Sequence, residues 1–273
     1  MRNRGSQLLI LAAAALAYAF LLGPLLIVIG ASFDGGSQPF FRFPPEEVSL
    51  RWYLNIPEKY WSALGLSFSI AVAAAALATL LGSLAALGIA RGTVGGKGLL
   101  ETYFRFPLQV PFVVTGVVFL QFYYLVADAT GIDLIGTPWG FVFAHTFFCV
   151  PYAVGAVGSV ITHDLDRSEN AARIAGATEW RVLRRITIPA LKPGLFSGFF
   201  FAFITSFGDV PVSVFLASSG TTPLPVEIFQ TLQFDYDPTV LSISTLVVLI
   251  STGFVIAMQR LVGLDIVLPG SRR

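Results

Sequence analysis

The sequence predicts an all-α, polytopic membrane protein with six transmembrane helices and both termini in the cytoplasm. Hydrophobic residues make up 55% of the 273 residues and charged residues only 12%, whereas an average soluble domain is about 25% charged. So few ions cannot cover a surface that faces water. Two further observations support the prediction: six long apolar runs, and Lys and Arg residues that fall on one side of them.

Each apolar run is long enough to cross a hydrocarbon core about 30 Å thick, which takes about 20 helical residues. The fifth run is interrupted by Asp209. With their loops, the runs account for nearly the whole chain, so we expect a single transmembrane domain over residues 1–273 and no appended catalytic domain. The predicted spans are 8–30, 62–90, 106–127, 134–162, 193–217 and 238–259.

The first run also has features of a secretory signal peptide. Arg2 and Arg4 precede it, and Ala17-Tyr18-Ala19 inside it is similar to a cleavage site. The apolar stretch nevertheless continues through Gly30. We therefore predict that the first run is a retained anchor.

Cytoplasmic loops collect Lys and Arg, and this bias sets the orientation of a membrane protein. With the N-terminus inside, only Arg42, Arg51 and Lys59 of the 17 Lys and Arg residues lie outside. Both termini are then cytoplasmic, because the number of spans is even. The outer loops keep an excess of Asp and Glu, which is only a weak indication of a cationic solute since the bases have been drawn inside.

Composition also limits the chemistry. The formal net charge of +1 argues against a nucleic-acid surface, which needs a clustered basic face. Cys149 is the single cysteine and the chain has two histidines, so no internal disulfide forms and no zinc-ligand spacing occurs. We expect no metal and no cofactor. No glycine-rich motif ends in Lys-Ser/Thr, so we expect neither ATP binding nor enzyme activity from this chain.

The only long polar stretch on the inner side is 163–192, between the fourth and fifth spans. Helix formers dominate up to Ala175, with Asp164 or Ser168 as the start, and Gly176 then offers the left-handed backbone of a sharp turn. A second short helix is predicted over Glu179–Thr187, ending before Pro189. Its expected apolar ridge consists of Trp180, Leu183, Ile186 and Ile188.

This segment resembles a known motif. Asn170-Ala171-Ala172, Gly176-Ala177, Ile186-Thr187-Ile188-Pro189 and Pro193 are similar to the "EAA" loop in membrane subunits of binding-protein-dependent ABC importers. In that family, Glu-Ala-Ala is followed by three residues, Gly and about nine residues before Ile-x-Leu-Pro. Asn170 stands in place of the family Glu, with Glu169 displaced by one position, and Ile188 stands in place of Leu. The six-span layout extends the resemblance to nearly the whole chain, which implies a type I ABC importer permease (MetI-like) architecture.

In that family the loop forms a coupling helix that docks on a cytoplasmic ATPase. The resemblance implies two ATPase copies, a second permease subunit (a sister chain or a copy of this one) and an extracytoplasmic solute-binding protein, at the inner membrane of a bacterium. The alternative for this segment is an amphipathic loop lying on the membrane surface. The implied ATPase-coupling residues are Glu169, Asn170, Ala171, Ala172, Gly176, Ala177, Arg181, Ile186 and Pro189.

Further matches lie in the last third of the chain. The segments 206–211, 222–229, 237–238 and 241–246 are similar to those of spermidine/putrescine-type permeases. That group also includes permeases for aminoethylphosphonate, opines and related small solutes. The resemblance implies import of a small organic solute, and a polyamine is the leading expectation.

Three residues are candidates for the substrate pathway: Asp209, His145 and Phe207. An intramembrane charge is costly and usually functional, and Asp209 lies roughly 24 Å along a helix from the inner end of the fifth span. The alternative is that Asp209 caps a broken helix before Pro211. For His145, a hydrogen bond to a neighbouring helix is favoured over a place in the pathway.

Two other function classes compete with the importer subunit. An intramembrane aspartyl protease needs two facing Asp residues, but the second candidate, Asp237, falls in an outer loop. A stand-alone secondary transporter usually shows repeated halves and several buried charges. Neither is evident here, and a secondary transporter leaves the cytoplasmic motif unexplained.

Overall fold

The computed structural model describes residues 4–36, 42–93, 95–234 and 237–262, and these are mainly helical. Part of the orientation argument (Arg2, Arg272, Arg273 and Asp235) falls outside the described residues. Six long helices dominate, joined by shorter ones and by one 3₁₀ and one π-helical segment. The α-helices are α1 (Arg4–Ala31), α2 (Arg51–Leu54), α3 (Glu58–Arg91), α4 (Lys97–Arg105), α5 (Phe112–Thr130), α6 (Pro138–Gly158), α7 (His163–Ile174), α8 (Glu179–Val182), α9 (Ile188–Phe207), α10 (Ser213–Leu216), α11 (Leu224–Phe234) and α12 (Thr239–Val262).

The prediction of six spans is confirmed. Within the described residues, six helical stretches are long and apolar enough to cross a membrane. The fourth span begins four residues later than predicted, because the Thr137 hydroxyl accepts a hydrogen bond from the Gly140 amide at 3.1 Å and Pro138 opens the helix. The six stretches are Gln7–Ala31, Glu58–Arg91, Phe112–Thr130, Pro138–Gly158, Glu179–Phe207 and Thr239–Ala257.

The chain divides into two compact units. One unit contains α1, α2, the first turn of α3, most of α11, and α12 up to Ile256. Within it, the Tyr60 hydroxyl donates a hydrogen bond to Thr231 at 3.1 Å, and the Ser242 hydroxyl donates one to the Ser32 carbonyl at 3.5 Å. These polar contacts tie the residues next to α1 to α12, and the start of α3 to α11.

The other unit comprises Ser62–Glu227 and the chain from Ala257 onward, and it contains the predicted site residues. Its helices approach closely at small residues. A Cβ atom at Gly194 of α9 would lie 2.8 Å from the Ala156 carbonyl oxygen of α6, and one at Gly198 would lie 3.0 Å from the Ala153 Cα. Small residues permit this backbone contact, which is a common basis of helix packing in membranes. The contact makes α6 and α9 the core of this unit.

The predicted helix end before Pro189 is wrong. Helix runs from Glu179 to Phe207 through a π-helical turn, Leu183–Thr187, in which the Ile188 amide donates to the carbonyl of Leu183. This widened turn makes room for the Pro189 ring, which would otherwise crowd the preceding turn. Pro189 follows the π turn as the second residue of α9.

The outer end of the fifth span was also predicted wrongly. The helix stops at Phe207, so the span does not continue to Ala217. Gly208 follows it, and Pro211 disfavours helical backbone at the residue before it. Asp209 therefore lies in a buried loop between α9 and α10, and not inside a helix.

Candidate functional site

Within the segment 163–192, α7 is followed by a tight reversal of the chain at Gly176. The Ala177 amide donates to the Ala172 carbonyl at 3.0 Å and the Gly176 amide donates to the Arg173 carbonyl at 2.9 Å. This pair of bonds is the Schellman arrangement, which places its glycine in the left-handed region. Gly176 has φ +84°, so the predicted reversal is confirmed.

α7 is anchored on the transmembrane helices. It begins at His163, one residue before the earlier of the two predicted starts. Leu165 is 6% exposed and belongs to a hydrophobic cluster with Ala86 of α3, Val157 of α6 and Leu191 of α9. A displacement of α7 would therefore disturb the ends of three spans that meet at this cluster.

Glu169 holds the segment together. Its side chain is 2% exposed, and one carboxylate oxygen accepts a hydrogen bond from the Thr187 hydroxyl at 2.5 Å and pairs with Arg91. The other oxygen lies 3.7 Å from Arg173. One carboxylate thus ties α7 to the end of α3 and to the π turn.

Asn170, which stands where the family motif has Glu, does not take this buried position. It is exposed, and its side-chain oxygen accepts a hydrogen bond from Arg173 at 3.0 Å. The neighbouring Glu169 makes the interior contacts in its place. Sequence reasoning missed Arg91 and Thr187 as its partners, because these residues are 78 and 18 positions away and neither has a distinguishing local pattern.

A second ion pair, Arg173 with Glu179, links the two sides of the Gly176 turn on its exposed surface. The Arg173 guanidinium donates two hydrogen bonds to the Glu179 carboxylate, at 2.8 and 3.1 Å. These bonds raise the pKa of Arg173 above its usual value, with further contributions from the charges of Glu179 and Glu169. The pair joins α7 to α8 across Gly176 and braces the turn against bending.

The exposed tip of the hairpin formed by α7 and α8 carries two large apolar side chains. Ile174 is 89% exposed and Trp180 is 68% exposed, one on each side of the Gly176 turn. The predicted single ridge is wrong, because Ile186 packs against the hydrophobic cluster while Trp180 points outward and Val182 is buried instead. The π turn adds a residue to one helical turn, so residues before and after it no longer share a face.

The remaining predicted coupling residues are spread over the same segment. Ala171 is exposed, Ala172 and Ala177 are half-buried, and Arg181 and Pro189 are exposed. Ala171 and Ala172 present no long side chain beside the tip, so a partner surface can approach the α7 backbone there.

The predicted pathway residues form a separate, buried cluster. His145 of α6 is hydrogen-bonded to the Ser206 hydroxyl at 2.7 Å and to the Ser213 hydroxyl at 3.1 Å. Asp209 is 5% exposed, and one of its oxygens accepts bonds from the Ser213 amide at 2.8 Å, the Ser213 hydroxyl at 2.9 Å and the Val212 amide at 3.2 Å. These contacts match the capping alternative for Asp209 and the hydrogen-bonded alternative for His145.

The cluster has no accessible nucleophile, because both serine side chains are buried and hydrogen-bonded. Phe207 is half-buried, and its ring stacks on Phe203 with 5.6 Å between centroids. Among the described residues, no group of three His, Cys, Asp or Glu side chains is placed to hold a metal ion.

Comparisons with known proteins identify the family. The model for "Binding-protein-dependent transport system inner membrane component" matches residues 78–264. Over 236 residues the chain is 31% identical to the putrescine transport system permease protein PotI of Escherichia coli (strain K12), covering 85% of this chain and 83% of that relative. Over 244 residues it is 29% identical to the spermidine/putrescine transport system permease protein PotC of the same strain, covering 89% of each.

A solved structure shows the same fold. A bacterial ABC transporter involved in the import of the acidic polysaccharide alginate matches with a TM-score of 0.65 and 17% identity, over 96% of this chain and 98% of that chain. The resemblance drawn from the inner loop and the spans is thereby confirmed, and the protease and stand-alone transporter alternatives are set aside. This chain belongs to the family of binding-protein-dependent transport system inner membrane components and is a multi-pass membrane permease subunit of an ABC importer.

Proposed function

We propose that the hairpin of α7 and α8 is the surface on which a cytoplasmic ATPase drives this permease. The observation that carries the proposal is an apolar tip, Ile174 and Trp180, displayed on a turn that is braced from inside and outside. Large apolar side chains exposed on a rigid support are typical of protein contacts and seldom remain in water without a partner. The membrane-surface alternative is less favoured, because Arg173 and Glu179 occupy the same tip.

The hairpin is suited to transmit motion. Glu169 connects it to Arg91 at the end of α3 and to Thr187 in the π turn that continues into α9. Leu165 packs against α6 as well. A push on the tip is therefore passed to three spans together, because packed elements move as bodies and do not deform continuously.

This role requires the other subunits of an ABC importer. The sequence has no ATP-binding motif, so a partner ATPase hydrolyses ATP. We propose that this ATPase is present in two copies. A second permease subunit completes the pathway, and an extracytoplasmic binding protein delivers the solute. We propose that both termini and residues 163–192 lie in the cytoplasm of a bacterium, with the spans in its inner membrane; the excess of Lys and Arg on one side supports this orientation.

Co-purification tests the coupling surface. The chain is co-expressed with an ABC-importer ATPase subunit from the same organism, and Ile174→Asp or Trp180→Asp is compared with the wild type. A buried apolar anchor at an interface is worth at least about 2 kcal/mol, so recovery of the ATPase should fall roughly 30-fold. Ile132→Asp is the matched control, because Ile132 is 59% exposed in the loop between α5 and α6. Equal recovery with all three variants would refute the coupling role.

For the solute we propose a polyamine such as putrescine or spermidine. The support is that two relatives named for these solutes match over most of this chain. Uptake of radiolabelled putrescine by cells that express the whole system is the test, with unlabelled spermidine, aminoethylphosphonate and an opine as competitors. Competition by spermidine alone supports the proposal. No uptake of putrescine, together with uptake of labelled aminoethylphosphonate or opine by the same cells, would move the assignment to that solute.

For the pathway we propose that Phe207 contributes to its wall, whereas Asp209 and His145 act by fixing the loop after α9. Support comes from the Asp209 carboxylate, because one of its oxygens already accepts hydrogen bonds from the amide and the hydroxyl of Ser213. In this role the two polar residues shape the pathway without touching the solute. Asp209→Asn separates direct solute contact from support, since loss of uptake without loss of stability would indicate contact.

A further inference from the structure

Two cavities follow one another along α6 in the unit from Ser62 to Glu227. The first, about 450 Å³, lies at the inner end of the helix and is lined by Gly155, Gly158 and Ser159 of α6 and by Lys97, Glu101 and Arg105 of α4. The inner end of α3 forms another wall through Ala86 and Ala90. This cavity is charged on one side and has small residues on the other.

The second cavity is larger and apolar. It has a volume of about 590 Å³ and is lined mainly by aromatic and aliphatic side chains, among them Tyr103 and Phe104 of α4 and Phe143, Phe147 and Pro151 of α6. Leu81 of α3 lies on its wall. The two cavities therefore share the same three helices, and the charged one lies toward the cytoplasmic loops.

The spacing of the cavities matches one leaflet of a bilayer. Phe147 and Gly158 are central to the two cavities and eleven residues apart on α6, which corresponds to roughly 16 Å along a helix. Half of a hydrocarbon core of about 30 Å is about 15 Å. A molecule with a charged head in the first cavity and an apolar chain in the second would have the dimensions of a phospholipid.

The charges on α4 fit such a head group. Lys97, Glu101 and Arg105 recur every four residues and so lie on one face of the helix, turned to the first cavity. Lys97 donates to the Ala90 carbonyl at 2.9 Å, while Arg105 and Glu101 have no ion pair within the described residues. The opposite face carries Leu99, which is 77% exposed. An amphipathic helix of this kind is typical of the membrane interface.

We propose that these two cavities form a binding site for one phospholipid of the inner leaflet with a net charge of −1. Its phosphate lies between Lys97 and Arg105, and an acyl chain occupies the aromatic cavity. The three charged residues of α4 sum to +1, which a single phosphate diester balances. Glu101 disfavours a head group with a second negative charge. The site is independent of the proposed ATPase surface.

Native mass spectrometry of the full chain, purified in mild detergent, tests the site. Phosphatidylglycerol, phosphatidylethanolamine and inorganic phosphate are the probes. A basic residue near anionic lipid is worth roughly a factor of five in binding, so Lys97→Gln with Arg105→Gln should weaken phosphatidylglycerol binding roughly 25-fold. Glu101→Gln should strengthen it roughly five-fold. Arg167→Gln is the matched control, because this cation has an 83% exposed side chain on α7 and lines neither cavity.

A second variant tests the cavity itself without changing a charge. Gly155→Leu should fill the first cavity and abolish retention of phosphatidylglycerol, since a Cβ atom there meets nothing within 4 Å. Gly88→Leu on α3 is the control, because it also meets nothing within 4 Å and lines neither cavity. Unchanged lipid binding in the charge variants or in Gly155→Leu would overturn the proposal. Equal retention of phosphatidylethanolamine would overturn the charge preference, and displacement of the lipid by millimolar phosphate would assign the site to soluble phosphate.

Discussion

The Glu169 network gives the sharpest stability prediction, because its partners differ in exposure. Glu169→Ala removes a carboxylate that is 2% exposed and leaves the buried Thr187 hydroxyl without its acceptor. An unsatisfied buried polar group costs about 1–3 kcal/mol. Arg91 has a side chain that is 35% exposed, so water solvates it and adds only about 0–1 kcal/mol. We expect a total loss of about 1–4 kcal/mol.

The converse substitution should cost more. Arg91→Ala leaves the Glu169 carboxylate buried, with Arg173 at 3.7 Å as its remaining cationic neighbour. Removing one partner of a buried ion pair costs about 3–5 kcal/mol, because the other charge remains uncompensated. The predicted order of destabilisation is therefore Arg91→Ala, then Glu169→Ala, then the matched control Asn170→Ala, since Asn170 is exposed and bonds only with Arg173.

Thermal unfolding of the purified full chain in detergent, followed by circular dichroism, measures this order. A loss of about 1–4 kcal/mol corresponds to a fall in the midpoint of roughly 2–16 °C for a chain of this size class. The double variant Arg91→Ala with Glu169→Ala should be less destabilised than the sum of the two, because it leaves no buried charge. If Asn170→Ala lowers the midpoint as much as Glu169→Ala, the assignment of the interior contact to Glu169 is refuted.

Three further predictions concern single positions. Gly176→Ala should destabilise the chain by about 1–2 kcal/mol, because φ +84° strains a residue with a Cβ atom; Gly88→Ala in α3 should leave the thermal midpoint within about 2 °C of the wild type. Asp209→Ala should cost about 1–2 kcal/mol as a lost cap, and Asp209→Asn less, because the amide oxygen still accepts from Ser213; abolished solute uptake by Asp209→Asn at an unchanged midpoint would show direct solute contact instead. Glu179→Gln should leave the midpoint unchanged but lower solute-stimulated ATPase activity of the reconstituted transporter several-fold, since the outer brace of the hairpin is lost; full activity would contradict that role.

The parts of the fold that sequence reasoning predicted correctly are those with a local physical cause. Each of the six spans is a charge-poor run, and its length alone decides whether it can cross a bilayer. The reversal after α7 needs a left-handed residue, and Gly176 is the residue type that adopts this conformation without strain. Both signals lie within a few residues of the structure that they predict.

The end of the fifth span has a weaker local signal, Gly208 and Pro211, which lie inside a run that stays apolar. The residues after Asp209 are as apolar as a span, because the loop that they form is buried against another helix. A Cβ atom at Gly116 of α5 would lie 3.0 Å from the Pro211 carbonyl oxygen and 3.1 Å from the Val212 Cα. Hydropathy reflects burial and does not distinguish a buried loop from a helix, so it predicts a single span over residues 193–217.

The position of the buried glutamate in the segment 163–192 is also not predicted by the spacing of the motif, and this position affects the proposed coupling surface. Counting back from Gly176 assigns the family Glu position to Asn170, which is exposed, whereas the interior contacts belong to Glu169 one residue earlier. A helix turns about 100° per residue, so neighbours at these positions point in different directions. The departure at Asn170 therefore leaves the anchoring of the hairpin intact and changes the surface beside its exposed tip. An ATPase seated there would meet an amide that Arg173 already holds, in place of a free carboxylate.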